Sequence, residues 1–188
     1  ANFDESLYSD DLLEQYRISQ RKMIVRHRNT CLAYAEHFPD TAARDLLFMG
    51  KSGLGKTFLM QSIAHRVAER GFGVMYVTAY KLIEQARAAY FANNSDLLRP
   101  LMDAPLLLID DLGTEPLMEN ITVTQLFNLL NERQNANRHT IISTNLSFSL
   151  LRERYTERIT SRLMKGAQCD HLNFIGDDVR RRLKGGNA

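Results

Sequence analysis

Residues 50–57 read GKSGLGKT, and this octet constrains the chain more than any other stretch of it. The spacing is that of a phosphate-binding loop, G-x-x-x-x-G-K-[ST], which arises by chance in roughly one chain of this length in a hundred. The residue types follow from the chemistry. Gly53 and Gly55 let the backbone fold into a concave nest of N–H donors where a β-carbon would clash. A helix opening at the loop adds free amides and the positive end of its dipole. Lys56 supplies a point charge for the β- and γ-phosphates, and Thr57 a hydroxyl for Mg²⁺. The expected nucleotide contacts are therefore Gly50, Ser52, Gly53, Leu54, Gly55, Lys56, Thr57 and Phe58.

The surroundings fit such a loop. It follows the apolar run Leu46–Met49 and opens a segment with Leu59, Ile63 and Val67 on one side. Further strands are predicted at Val74–Thr78, Leu106–Asp110, Thr140–Thr144 and His171–Ile175. Helices are predicted over Lys56–Arg70, over Lys81–Met102 with a break near Asn93-Asn94, and over Val123–Asn135. Nearly continuous apolar strands imply cover on both faces, and strand–helix alternation implies parallel pairing with right-handed crossovers. The fold class is thus α/β, a three-layer domain with a mainly parallel five-stranded sheet. At 188 residues and 44% hydrophobic, the chain suffices for one core. Its longest apolar run, Leu106 to Ile109, is far too short to span a membrane.

The first forty residues read as a linker and a basic helix, with residues 41–188 as the nucleotide-binding domain. Acidic Asp4, Glu5, Asp10 and Asp11 replace the pattern of a secretory signal. Arg17, Arg21, Lys22, Arg26 and Arg28 then give a predicted helix over 14–38 a basic face, either solvated or turned to nucleic acid. Pro39-Asp40 breaks it, and the tail from Lys184 reads as a frayed end. Cys31 and Cys169 stand far apart without metal-ligand neighbours, which suits reduced thiols in a cytoplasmic protein.

Two further segments complete a nucleotide site. In LLLIDD (106–111), Asp110 ends a buried strand where α/β sheets place ligands, and would hold Mg²⁺. Asp111 would polarise the attacking water, the alternative being that the pair caps a turn. In TIISTN (140–145), Asn145 would orient water beside the γ-phosphate, the alternative being a helix N-cap.

Together LLFMGKSGLGKTFL, VMYVTAYKLI, LLLIDDLGTEP, QLFNLLNER, TIISTNLS, YTERITSRL and FIGDDVR resemble the AAA+ ATPases, specifically the bacterial DnaC/DnaI-type replicative helicase loaders. The resemblance runs from Leu46 to Arg180 and implies a P-loop domain of the AAA+/ASCE class with a reduced C-terminal lid. It places Lys56 and Thr57 on Walker A, Asp110 on Walker B and Asn145 on sensor 1. Arg162 falls on the arginine finger, one helical turn after Arg158, and Arg180 on the sensor-2 arginine. A finger must reach a neighbouring subunit's γ-phosphate, so self-association and a slow lone monomer are implied. The implied ligands are ATP or ADP with Mg²⁺, single-stranded DNA, and a replicative helicase met through an N-terminal region that this chain lacks or has reduced. For DNA, the resemblance points to Tyr90 as a base-stacking aromatic, with Arg87, Phe91 and Arg99 assisting; the alternative for Tyr90 is the core. The loop Pro116–Thr122 falls on a second pore-facing position.

Asp111 departs from the family pattern, which commonly has Glu there, and Glu115 stands nearby as a second carboxylate. Three rival functions carry a P-loop as well: an IstB-type transposition helper on double-stranded DNA, a small-molecule kinase, and a nucleotide-gated adaptor that scarcely hydrolyses. The absence of an acceptor pocket signature and the Arg158/Arg162 pair favour the ring ATPase over the kinase.

Overall fold

Strand β3 (Asp45–Met49) is buried at every position, and its side chains divide by parity. Leu46 and Phe48 enter one apolar cluster while Leu47 and Met49 enter another. Such a division is what a strand covered on both faces requires. The structure is a computed structural model that describes residues 3–118, 121–164 and 168–180. Four more strands join β3: β4 (Val74–Thr78), β5 (Leu106–Leu112), β6 (His139–Thr144) and β7 (Cys169–Asn173). They form a five-stranded sheet in the order β4-β5-β6-β3-β7 with every pairing parallel, as expected. Helices α1 (Gln20–His37) and α2 (Lys56–Glu69) pack on one face. On the other lie α3 (Ala79–Phe91), α4 (Arg99–Asp103), α5 (Thr122–Asn135) and α6 (Phe148–Leu163). The three-layer α/β arrangement of the AAA+ type is thus present. A small hairpin of β1 (Leu12–Leu13) and β2 (Ile18–Ser19) precedes it.

Several element boundaries differ from those predicted. The basic helix starts at Gln20 rather than at residue 14, because Arg17 adopts a left-handed φ of 51° and Ser19 caps the helix through Lys22 N–H. Ile18, read as a helical apolar position, belongs instead to β2. The 81–102 segment breaks where expected: α3 stops at Phe91, Asn93 takes φ 47°, and a 3-10 turn leads to α4. Strand β7 begins two residues before the predicted His171, since buried Cys169 pairs with Asp45. The tail from Lys184 lies outside the described residues, as do 119–120 within the Pro116–Thr122 loop.

The opposite charges of the N-terminal stretch turn out to answer each other. Arg21 pairs with Asp10 and donates to the carbonyls of Glu5 and Tyr8 at 3.1 and 3.2 Å. Arg28 lies over the Phe3 ring at 5.1 Å. Part of the basic face therefore binds the chain's own acidic segment. Cys31 and Cys169 are both buried and free, and burial pushes each thiol up to about 12. No helix among the described residues is long and apolar enough to cross a membrane.

One buried cation ties the layer of helices to the sheet. Arg133 on α5 is fully enclosed and donates to Thr140 Oγ1 (3.0 Å) and to the carbonyls of Leu101, Met102, Ala104 and His139. Desolvation lowers its pKa to about 10, against the opposing pull of Asp45. Arg133→Met would fill the space but strand buried carbonyls, each costing about 1–3 kcal/mol. We expect a loss of about 3 kcal/mol, a Tm lower by roughly 6–12 °C, in thermal unfolding followed by circular dichroism.

Candidate functional site

The loop after β3 and the first turn of α2 build one wall of a cavity of about 370 Å³. Gly53 and Gly55 have φ of 78° and 94°, conformations that side chains rarely adopt. A β-carbon at Gly53 would also collide with the Asp178 carboxylate, so the loop leaves no room for one. The N-terminus of α2 opens into this space, and a run of backbone amides with no β-carbons in the way suits phosphate oxygens. Across the cavity stand Phe3, Leu7, Tyr8 and Val179, which give its far end an apolar lining.

Lys56 is 5% exposed, and its Nζ donates to Gly50 O (2.5 Å), Lys51 O (2.8 Å) and Asn145 Oδ1 (2.8 Å). Desolvation lowers its pKa, while the nearby charges of Asp111 and Asp110 act in the opposite sense. The predicted partners Lys56 and Asn145, 89 residues apart, are thus in direct contact. Thr57 Oγ1 lies 3.2 and 3.1 Å from the two oxygens of Asp110, which is 3% exposed. That pairing brings together the hydroxyl and the carboxylate expected to share a cation.

Asp110 and Asp111 owe their placement to a bulge. Ile109 pairs with Ile142 and Leu112 with Thr144, so β5 carries one residue more than β6 over this stretch. Asp111 takes φ 56° there. Consecutive strand residues ordinarily face opposite sides; here Asp111 lines the cavity while Asp110 stays behind Thr57. Burial and the adjacent Asp110 charge raise the pKa of Asp111, with Lys56 and an Asn145 hydrogen bond opposing them. Glu115 is not a substitute for it: that carboxylate is 1% exposed and engaged by Tyr155 OH and the Gly113 N–H.

The remaining predicted residues are distributed as follows. Ser52 and Phe58 line the cavity, but the Leu54 side chain is buried in the core, leaving only its backbone to the loop. Arg180 reaches the same cavity, donating to Ser52 Oγ (3.1 Å) and to Asp178. Val179 N–H donates to Gly53 O at 3.0 Å, and the residues after Arg180, on which the expected reduced lid falls, lie outside the described ones. Arg162 lies elsewhere. It sits on the last turn of α6, over the Phe127 ring at 5.6 Å and beside Asp45, where β3 begins, whereas the loop follows the other end of β3. Arg158 flanks the same ring at 5.1 Å. Tyr90 is not a core residue: it is 58% exposed, Phe91 is 73% exposed, and their rings meet edge-to-face at the end of α3 with Arg87 exposed nearby.

Sequence reasoning passed over Ser143, Tyr76 and Tyr8. Ser143 Oγ donates to Asp110 Oδ1 and accepts from Asp111 N–H (2.9 Å). Tyr76 OH donates to Asp110 Oδ2 at 2.6 Å. Strand pairing brings Tyr76 and Ser143 to Asp110, and Tyr8 reaches the cavity from the N-terminal stretch, so no local motif announces any of them.

A bound nucleotide with magnesium fits this donor set: free loop amides, one ammonium, one hydroxyl and two carboxylates around a cavity with an apolar end. Lys56 and the loop amides would hold phosphate oxygens, while Thr57 and Asp110 would hold the cation. A magnesium ion held there would supply neutralising charge to the phosphates.

Comparison with known proteins agrees with the fold. The structure titled the DnaC helicase loader superposes with a TM-score of 0.71 at 22% identity, over 90% of this chain and 95% of that one. The replicative helicase loader DnaI of Bacillus subtilis is 25% identical over 114 residues, 60% of this chain and 37% of the relative. The insertion sequence IS5376 ATP-binding protein of Geobacillus stearothermophilus is 28% identical over 144 residues, 74% of this chain and 57% of the relative. The chain thus spans well under two-thirds of either relative. Residues 22–170 match the family model of the bacterial DnaA ATPase domain, and with most of its length covered the chain belongs to that family.

Proposed function

We propose that this domain binds and hydrolyses ATP with Mg²⁺ and uses the nucleotide state to control its grip on single-stranded DNA while a replicative helicase is loaded. The observation that carries the reading is the contact of Lys56 with Asn145, and of Thr57 with Asp110, around one cavity. In this reading the loop amides and Lys56 orient the γ-phosphate, Asn145 positions the attacking water, and Asp111 accepts its proton. Asp111 suits a base in one respect: burial and the Asp110 charge raise its pKa, with the Lys56 charge opposing them. Arg180 leaves Asp178 for the terminal phosphate. Arg162 acts on the nucleotide of a neighbouring copy, since it stands at the opposite end of β3 from its own loop.

The DNA part of the proposal rests on the Tyr90–Phe91 pair, two adjacent exposed aromatics whose rings meet at the end of α3. Stacking on base faces tolerates any sequence, and Arg87 adds charge for the backbone. Tyr90→Ala is expected to weaken binding of a fluorescently labelled oligothymidine by roughly five- to 150-fold, the equivalent of about 1–3 kcal/mol. Nucleotide affinity should stay at the wild-type value. Anisotropy titrations with and without ATP check both arms, and an unchanged oligothymidine affinity would remove Tyr90 from the interface.

The similarity to the IS5376 protein supports a second reading, a transposition helper that assembles on double-stranded target DNA. Competition between single- and double-stranded oligonucleotides, together with a pull-down against a hexameric replicative helicase, separates the two. Preference for the duplex and no capture of helicase would favour the helper.

A further inference from the structure

We propose that Tyr76 is a positioning residue that, with Ser143, aligns the Asp110 carboxylate for the cation. This inference rests on the nucleotide-site reading given above. Asp110 accepts from three hydroxyls: Ser143 Oγ at Oδ1, Tyr76 OH at Oδ2 (2.6 Å), and Thr57 Oγ1, which straddles both oxygens at 3.2 and 3.1 Å. The first two come from the strands on either side of β5, so the sheet itself supplies one anchor per oxygen.

Register explains the geometry. Thr78 of β4 pairs with Asp110, and Tyr76, two residues earlier, lies on the same face of that strand. Its phenol is long enough to reach along the face to the carboxylate, which no small residue at that position could do. On the other flank, Ser143 stands opposite the β5 bulge and holds the Asp110 side chain and the Asp111 amide at once. A carboxylate pinned at both oxygens cannot rotate, and its remaining acceptor directions face Thr57. Thr57 is then the hydroxyl that can turn to a cation without releasing the carboxylate. Tyr76 remains 42% exposed on the edge strand, so its ring packs only in part, while its hydroxyl is turned inward to the acid.

Residues that orient a metal ligand typically change metal affinity by about 10–100-fold when removed. The test uses the full chain and a fluorescent ADP analogue, titrated with Mg²⁺ and, separately, in EDTA. For Tyr76→Phe we expect the Mg²⁺ concentration at half-maximal enhancement of binding to rise about tenfold. Affinity in EDTA and Tm should match wild type. Ser143→Ala, which removes the other anchor without touching the edge strand, should shift the Mg²⁺ midpoint in the same direction. Tyr80→Phe, at an exposed tyrosine on α3, should do neither. A wild-type Mg²⁺ midpoint in Tyr76→Phe overturns the inference, and so does a change confined to the EDTA affinity, which would mark a purely structural role. Failure of the wild-type chain to bind the analogue at all would instead overturn the nucleotide-site reading, and this inference with it.

Discussion

Lys56→Ala is expected to lower nucleotide affinity by roughly a hundredfold or more, a loss of about 3 kcal/mol, with the fold intact. The ammonium is the one cation buried among the loop residues, held by two loop carbonyls and Asn145. Phosphate oxygens entering the cavity would find no charge to replace the water they leave, which is where the loss arises. The fold should survive because burial already lowers the lysine pKa, a sign that the charge is costly to keep there. Its carbonyl partners belong to half-exposed or exposed loop residues, which water can serve. Lys56→Arg should fail as well, since a planar fork does not fit a nest shaped for a compact ammonium. Calorimetric titration with ADP and Mg²⁺ reads the loss directly; an unchanged Kd would show that phosphates bind elsewhere.

Arg162→Ala is expected to reduce steady-state ATP turnover by about a thousandfold at high protein concentration, with nucleotide Kd unchanged. Position supports action between subunits: the guanidinium rests over Phe127 at the end of β3 remote from the loop. Wild-type specific activity should rise with protein concentration, and the variant should remain flat. Mixing gives a sharper check. Lys56→Ala keeps its finger and Arg162→Ala keeps its loop, so an equimolar mixture of two inactive proteins should regain activity if the finger acts on a neighbour. Inactivity of the mixture, or equal turnover at all concentrations of wild type, would reduce Arg162 to a packing residue. Loss of its contact with Phe127 alone should lower stability by only about 0.5–1 kcal/mol, so folding does not confound the result.

The parts of this structure that were legible in the sequence are those encoded locally. GKSGLGKT carries its glycines, lysine and threonine in one octet, and the apolar run before Asp110 identifies a buried strand by itself. Parity along β3 confirms the two-faced sheet that uninterrupted apolar runs imply. What could not be read depends on register or on competition among short-range interactions. Tyr76, Asp110 and Ser143 meet through the pairing of three strands, and nothing near Tyr76 in sequence distinguishes it from a surface tyrosine. The early start assigned to α1 treated Ile18 as one of a helical series, whereas a left-handed Arg17 and the Ser19 cap settle the boundary. Helix α6 lies outside the helices predicted from periodicity, and it carries a break at Thr156, whose φ is 71°. Arg133 lies within the helix predicted over Val123–Asn135, and only the fold reveals that carbonyls from both neighbouring elements surround it.

The kink in β5 also accounts for the short acid at position 111. A backbone at φ 56° accommodates Asp far more readily than a residue with a longer, bulkier stem. The missing methylene is therefore the companion of the torsion that swings this carboxylate around to its neighbour's side. Lengthening the acid would trade torsional ease for reach, so a longer carboxylate at this position calls for a reshaped main chain as well.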